Sequence, residues 1–219
     1  MLQKLLLSLS LLSLASACAN VQAPSKASKP RWLKGNLHTH SLWSDGSDFP
    51  EMIADWYAKR DYDFLALSDH NILSDHEKWI DASLPVKRGG KDALAKYRKR
   101  FGDAWVETRQ REGKTQIRLK RLDEIRPLLE KPDQFLMIQS EEISDIAFGR
   151  LYVHINATNL LERIPPQHGK GVREVISRNL RAIEAQSRRL KRPILGHLNH
   201  PNFYYSITAE DLAAVPEEH

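Results

Sequence analysis

Asp63-Phe64-Leu65-Ala66-Leu67-Ser68-Asp69-His70 is apolar from Phe64 to Leu67 and then abruptly polar. A four-residue apolar run bounded by polar residues suits a buried strand, and Asp69-His70 then falls at its C-terminal end. The segments on either side repeat the pattern. Trp32 to Leu37 is a candidate strand followed by His38-Thr39-His40, and Phe135 to Ile138 is another, followed by Glu141-Glu142. Leu151 to Ile155 alternates apolar and polar residues as a fourth strand, and Ile194 and Leu195 begin a fifth that leads to His200. Helical patterns separate the strands. One starts near Asp48 and Pro50, with Met52, Ile53, Trp56 and Tyr57 on one apolar face. Another spans Val172 to Lys191, where Val172, Val175, Ile176, Leu180, Ile183 and Leu190 form the stripe. Thr208 and Asp211 resemble a capping pair for a short last helix. Strands alternating with helices predict an α/β fold with parallel strands.

The segment from about Ser74 to Pro132 departs from this rhythm. It is charged and reads as helical, with Lys-Tyr-Arg-Lys-Arg at 96–100 and Arg118-Leu119-Lys120-Arg121 later, and is expected to be an insertion on a barrel rim. No internal repeat and no Gly-rich phosphate loop is present, so nucleotide-cofactor chemistry has no support. The 219 residues suffice for one domain with a real core. A hydrophobic fraction of 41% with 28% charged residues excludes disorder as the main state. The formal charge of +5 favours an anionic partner, whether phosphorylated substrate, nucleic acid or membrane surface. No feature of the sequence calls for an obligate protein partner.

The N-terminus reads as an export signal. Lys4 precedes the Leu/Ser run Leu5 to Leu14, which leads into Ala15-Ser16-Ala17, and the run is far shorter than the ~20 residues that span a bilayer. Residues 1–17 are therefore the expected signal peptide. Cys18, the only cysteine, stands where a bacterial lipoprotein carries its lipidated cysteine, although Ala15 replaces the larger aliphatic residue usual there. Ordinary cleavage after Ala17, leaving a free thiol, is the alternative. A lone cysteine excludes an internal disulfide, and residues 18–30, rich in Ala, Ser, Pro and Lys, read as a flexible tether. The expected location is a membrane-anchored lipoprotein facing the periplasm, with a soluble periplasmic protein as the alternative.

Polar residues at the ends of several strands are a pattern that fold stability alone does not require, because in barrels of parallel strands that rim collects catalytic groups. His38 and His40 are two residues apart, so on an extended strand both point to one side and can hold one metal ion. Asp45, in Ser44-Asp45-Gly46, adds an oxygen ligand, and Ser68-Asp69-His70 repeats the pattern independently. His76, His168 and His219 lie outside these motifs and are expected to be surface histidines. Imidazole and carboxylate without thiolate suit zinc, manganese or iron.

Taken in order, His38-Thr39-His40, Ser44-Asp45-Gly46, Ser68-Asp69-His70, Glu142-Ile143-Ser144, His154 and His200-Pro201 resemble the motifs of the PHP (polymerase and histidinol phosphatase) phosphoesterases. The resemblance runs from Gly35 to Asp211 outside the insertion, and the segment Leu198 to Phe203 is similar to a secreted branch of that superfamily. It implies a distorted (β/α)7 TIM-like barrel over residues 31–219, with the insertion at about 74–132. It also implies two or three divalent transition metal ions. His38 and His40 would bind the first, Glu142 would bridge it to a second completed by His154 and His200, and Asp45 and His70 would face a third. Glu141 competes with Glu142 for the bridge, and His197 competes with His200. Asp69 and Glu142 are the carboxylates expected to serve catalysis, Asp69 by orienting a ligand histidine. Two close metals can make hydroxide available near neutral pH and clamp the oxygens of a displacement at phosphorus. Arg150 and the basic insertion are candidates to steady the phosphate charge.

Members of that family usually end the site with an Asp-x-His motif on a later strand, and nothing after His200 matches it. About 200 residues would remain after cleavage, fewer than the ~250 of a full barrel. The expectation is a barrel truncated at the C-terminus, the alternative a protein that has lost part of its site. The leading functional expectation is a metal-dependent phosphoesterase acting on small anionic phosphoesters or nucleic-acid ends. A carboxyl- or carbamate-ester metallohydrolase and a non-catalytic metal-binding lipoprotein are the alternatives.

Overall fold

In the computed structural model, which describes residues 31–215, a compact unit beginning at Leu33 carries all the elements described here. In chain order they are β1 (Gly35–Asn36), α1 (Pro50–Ala58), β2 (Phe64–Leu67), β3 (Lys78–Asp81), α2 (Ser83–Gly89), α3 (Ala93–Phe101), β4 (Thr108–Arg111), β5 (Lys114–Leu119) and α4 (Leu122–Leu129). They continue with β6 (Leu136–Ala147), β7 (Leu151–Thr158), α5 (Val172–Leu190), β8 (Leu195–Leu198) and α6 (Ala209–Ala213). The expected signal peptide and tether, with Cys18, and His219 lie outside the described residues. No helix among those described is long and apolar enough to cross a membrane.

A five-stranded sheet, ordered β1-β2-β6-β7-β8, organises the unit. β1, β2 and β6 are parallel, with Gly35 opposite Phe64 and Phe64 opposite Leu136. β7 and β8 then run antiparallel to their neighbours. This overturns the (β/α)7 TIM-like barrel, which needs every strand parallel and followed by a helix. The reason lies in β6. It does not stop at Ile138 but runs 12 residues in all, from Leu136 to Ala147, leaving only Phe148-Gly149-Arg150 before β7. Three residues close a hairpin, whereas a parallel crossover needs about a dozen or more. Phe148 and Gly149 both have positive φ, 53° and 67°, as a tight reversal requires.

The charged segment 74–132 is not purely helical. It contains a separate antiparallel sheet, ordered β3-β5-β4, besides α2, α3 and α4. Its core joins Ile80, Tyr97, Val106, Ile117 and Leu119 to Leu42, Trp43 and Phe49. Those last three flank Asp45, so the segment grips the loop that follows His40. Fully burying each such side chain is worth roughly 1.5–3 kcal/mol.

The remaining elements follow their local sequence. Pro50 opens α1 at a position where its missing N–H costs nothing. The helix buries Glu51 and Ala54, while Met52, Ile53 and Tyr57 are half-buried and Trp56 is 46% exposed, so its inward face is offset from the expected one. α5 buries Val172, Val175, Ile176 and Ile183 against Ile143, Val153, Ile155 and Ala157 of β6 and β7, as its stripe predicts. Thr208 and Asp211 cap α6 reciprocally.

Candidate metal centre

Sheet register gathers the polar strand ends. Beyond β2 the chain stays alongside β6, with Asn71 N–H donating to Glu142 O at 3.0 Å, so that His70 sits beside Glu142. Across the hairpin Glu142 faces Asn156 and Ser144 faces His154. Asn156 in turn faces His197 on β8. Directly opposed residues share a face of the sheet, so Glu142, Asn156 and His197 line one side. Glu141, next along β6, points to the other.

Glu142 is fully buried and lies at the centre. Its Oε1 is 3.2 Å from Nε2 of His38, 3.2 Å from Nε2 of His200 and 3.5 Å from Nδ1 of His154. Its Oε2 is 2.9 Å from Nε2 of His40 and 3.0 Å from Nδ1 of His70. Asp45 stands at the edge, with Oδ1 2.8 Å from Nδ1 of His40 and Oδ2 3.5 Å from Nε2 of His70. The structure thus brings together His38, His40, Asp45, His70, Glu142, His154 and His200. Three overlapping groups have donor atoms within 4.8 Å of one another: His38, His40 and Glu142; His40, Asp45 and His70; and His70, Glu142 and His154.

The donor atoms fit a cation better than they fit one another. Glu142 Oε2 and His154 Nδ1 are buried and have no aligned hydrogen-bond partner, although imidazole nitrogens stand close to the first and Glu142 Oε1 lies 3.5 Å from the second. Nε2 of His38 and Nε2 of His40 approach to 3.1 Å, where at least one lone pair must face the other ring. Burial would raise the pKa of Glu142, but the close imidazoles of His38, His40 and His70 and the Asn199 amide outweigh it and hold the carboxyl far below the usual range. Burial lowers His154 to about 4, reinforced by His70, His200 and His40. An ionised carboxylate among imidazoles, one of them held neutral, is the state that coordination requires.

Other expected residues stand elsewhere. Asp69 does not join the cluster through its side chain, nor does that side chain orient a ligand histidine. Its Oδ1 accepts from Ser41 N–H at 2.8 Å, Ser44 N–H at 3.0 Å and Ser44 Oγ at 2.6 Å, and its Oδ2 accepts from Ser41 Oγ at 2.7 Å. It fastens the loop between His40 and Asp45. Gly46 closes the same loop, and a Cβ there would come within 2.5 Å of the His40 and Ser41 backbone. Glu141 accepts from Ile164 N–H on the opposite side, and burial pushes it up to about 7. His197 is half-buried, and burial, with the nearby His38, lowers its pKa. His168 pairs with Asp145 and His76 with Asp75 at the surface, both at 2.8 Å.

Sequence reading missed the amides that hold the cluster in place. Asn199 donates to Glu142 Oε1 and to Asn156 Oδ1, both at 2.7 Å, and Asn156 donates to Leu37 O at 2.6 Å, immediately before His38. The available signals were spacing and adjacency: Asn156 lies two residues beyond His154 on one strand, and Asn199 directly precedes His200. The basic segment is neutralised in part by ion pairs, since Arg98 pairs with Asp103, Arg100 with Asp55 of α1, and Arg118 with both Glu107 and Glu124. Arg88 instead donates to Ser44 O at 2.6 Å, on the Asp45 loop. Comparison of the chain with models of known protein families and with curated proteins finds no match to either.

Proposed function

We propose that the protein is a metal-dependent hydrolase of phosphoesters, related by the order of its motifs to the PHP phosphoesterases. The observation that carries this reading is the convergence of five imidazoles on the buried Glu142, with Asp45 against two of them, from segments remote in sequence. His38, His40 and Glu142 would hold one divalent transition metal ion, and His70 and His154 would hold another beside Glu142. Asp45 with His40 and His70 offers a third place, and His200 lies ready at Glu142 Oε1. Zinc, manganese and iron suit this nitrogen and oxygen donor set. Such ions supply Lewis acidity and an activated water. The chain's own part is to keep Glu142 ionised in a dry setting, to hold Glu142 and the end of β1 in place through Asn199 and Asn156, to hold the His70 ring through its Nδ1 contact with the Ser144 hydroxyl, and to fix the Asp45 loop through Asp69. The formal charge of +5 is in keeping with an anionic substrate.

The test is elemental analysis of the purified chain, followed by a panel of phosphate, carboxylate and carbamate esters. Bound transition metal with cleavage of phosphate esters is the expected result. Glu142→Gln should lose metal and activity together, while Glu141→Gln keeps both. A metal-free protein, or one that cleaves carboxylate or carbamate esters alone, would overturn the assignment.

We infer from the N-terminal sequence that the protein is exported and held at a membrane by acylation of Cys18. Stable anchoring takes more than one acyl chain, as a lipoprotein cysteine carries. Cys18→Ser should release the protein from the membrane fraction, and an intact mass without acyl addition in the wild type would refute lipidation.

A further inference from the structure

Beside the cluster stands a corner of exposed aromatic rings that the metal-binding reading leaves unused. Phe203 lies 5.3 Å from His200 and 5.5 Å from His154 between ring centroids. Tyr152 is 5.6 Å from Phe203 and 5.7 Å from Tyr204, and Phe203 and Tyr204 meet nearly edge to face at 4.6 Å and 78°. These rings are nevertheless open to solvent: Tyr152 and Phe203 are each 41% exposed and Tyr204 74%. Single exposed apolar residues need no explanation, whereas contiguous exposed apolar surface rimmed by polar residues is where ligands dock.

The backbone points the same way. His200, Tyr204 and Tyr205 have φ of 22°, 48° and 53°. Aromatic side chains rarely occupy the left-handed region, where Gly or Asn would sit without strain. Unfavourable backbone of this kind clusters at sites of function. Here it turns the Tyr204 ring outward, while Ser206 Oγ accepts from Tyr152 N–H at 3.0 Å and ties the loop to β7.

We propose that Tyr152, Phe203 and Tyr204 form a ring-binding subsite, so that the preferred phosphoester carries a planar aromatic group on the alcohol it releases. The proposal rests on the phosphoester reading above. With the phosphoryl group against the histidines, a ring on the ester's alcohol side, joined directly in an aryl ester or through the sugar in a nucleotide, can lie against Phe203, which is 5.3–5.5 Å from two of them. The two perpendicular faces of the corner accept such a ring by offset stacking on one wall and edge contact with the other. A nucleobase and a simple aryl group share this chemistry.

The test uses phosphonates, whose carbon–phosphorus bond is not an ester and is not cleaved. Calorimetry on the full chain would compare methylphosphonate, benzylphosphonate, whose methylene stands for the ester oxygen and carries the phenyl ring, and a nucleoside 5′-phosphonate, with metal content measured on each sample. Stacking on an aromatic side chain predicts that benzylphosphonate binds about tenfold more tightly than methylphosphonate. Tyr204→Ala and Phe203→Leu should each shrink that preference severalfold with metal content unchanged. Tight binding of the nucleoside compound as well identifies the ring as a nucleobase, and preference for the benzyl compound alone identifies an aryl ester; both support the subsite. Equal affinities for all three with metal retained would overturn the subsite and leave the phosphoester reading standing, as would a ring preference undiminished in both variants. Absence of metal together with no binding of any phosphonate would overturn both.

Discussion

Asn199 Nδ2 donates to Oε1 of Glu142 at 2.7 Å, and the same amide nitrogen donates to Oδ1 of Asn156 at the same distance. One amide from β8's end therefore fixes both the central carboxylate and the residue facing it across the β6–β7 ladder. Outer partners that orient ligands typically contribute 10- to 100-fold to metal affinity. Asn199→Ala should weaken metal binding by about that factor, read by competition with a calibrated chelator. An unchanged affinity would show that Glu142 is held by its ladder alone.

Asp69 binds two backbone N–H groups and two hydroxyls of the loop between His40 and Asp45, and it is almost fully buried. Asp69→Asn replaces one accepting oxygen with a donor that faces other donors. A loss of about 2–3 kcal/mol in unfolding free energy is expected, because hydrogen bonds to charged groups are the stronger kind. Thermal unfolding should fall by about 5–10 °C for a chain of this size. A midpoint within a degree of the wild type would contradict the role assigned to Asp69.

Glu51 of α1 is fully buried, and the Tyr97 hydroxyl and Trp105 Nε1–H both donate to its Oε1, the latter at 2.8 Å. Burial raises the pKa of Glu51, and these donors oppose that shift. Tyr97→Phe keeps the ring that stacks on Phe49 at 3.8 Å but removes one donor. Denaturant titration should show a loss of about 1–3 kcal/mol. The secondary structure measured by circular dichroism should stay the same, since the ring packing survives.

Glu107 is held down to about 2 by hydrogen bonds from Arg118 and Lys120. A carboxyl depressed in the folded state stabilises the protein at pH above its unfolded value of about 4.3, and that contribution disappears as pH falls through the folded value. Acid unfolding should therefore steepen between about pH 4.3 and 2. Glu107→Gln should flatten this limb, as seen by tryptophan fluorescence against pH. Identical acid limbs in both proteins would refute the assignment.

How legible the protein was from its residues depends on how far each feature reaches. β2, the start of α1, the stripe of α5 and the cap of α6 follow from neighbours within a few positions, and the chain forms them where its local pattern says. The site residues were legible for a related reason. A histidine or carboxylate at the end of an apolar strand has no local stabilising role, so His38, His40, Glu142 and His200 stood out before any distance was known.

Strand direction was not legible, because it depends on pairing between distant segments and on where each strand ends. β6 hides its length: Ser140, Glu141, Glu142, Ser144 and Asp145 interrupt the apolar pattern, and Glu141, Glu142 and Asp145 are buried against polar partners rather than in the apolar core. Ending the strand at Ile138 leaves room for a crossover, and continuing it to Ala147 leaves only a hairpin. The three-stranded sheet within 74–132 was masked in the same way, because β4 and the start of β5 are exposed and carry polar residues that read as helical. The sequence alone determined which side chains can bind a cation. Tertiary structure alone decided that five imidazoles meet on one carboxylate, because only sheet register can bring together atoms more than a hundred residues apart in the chain.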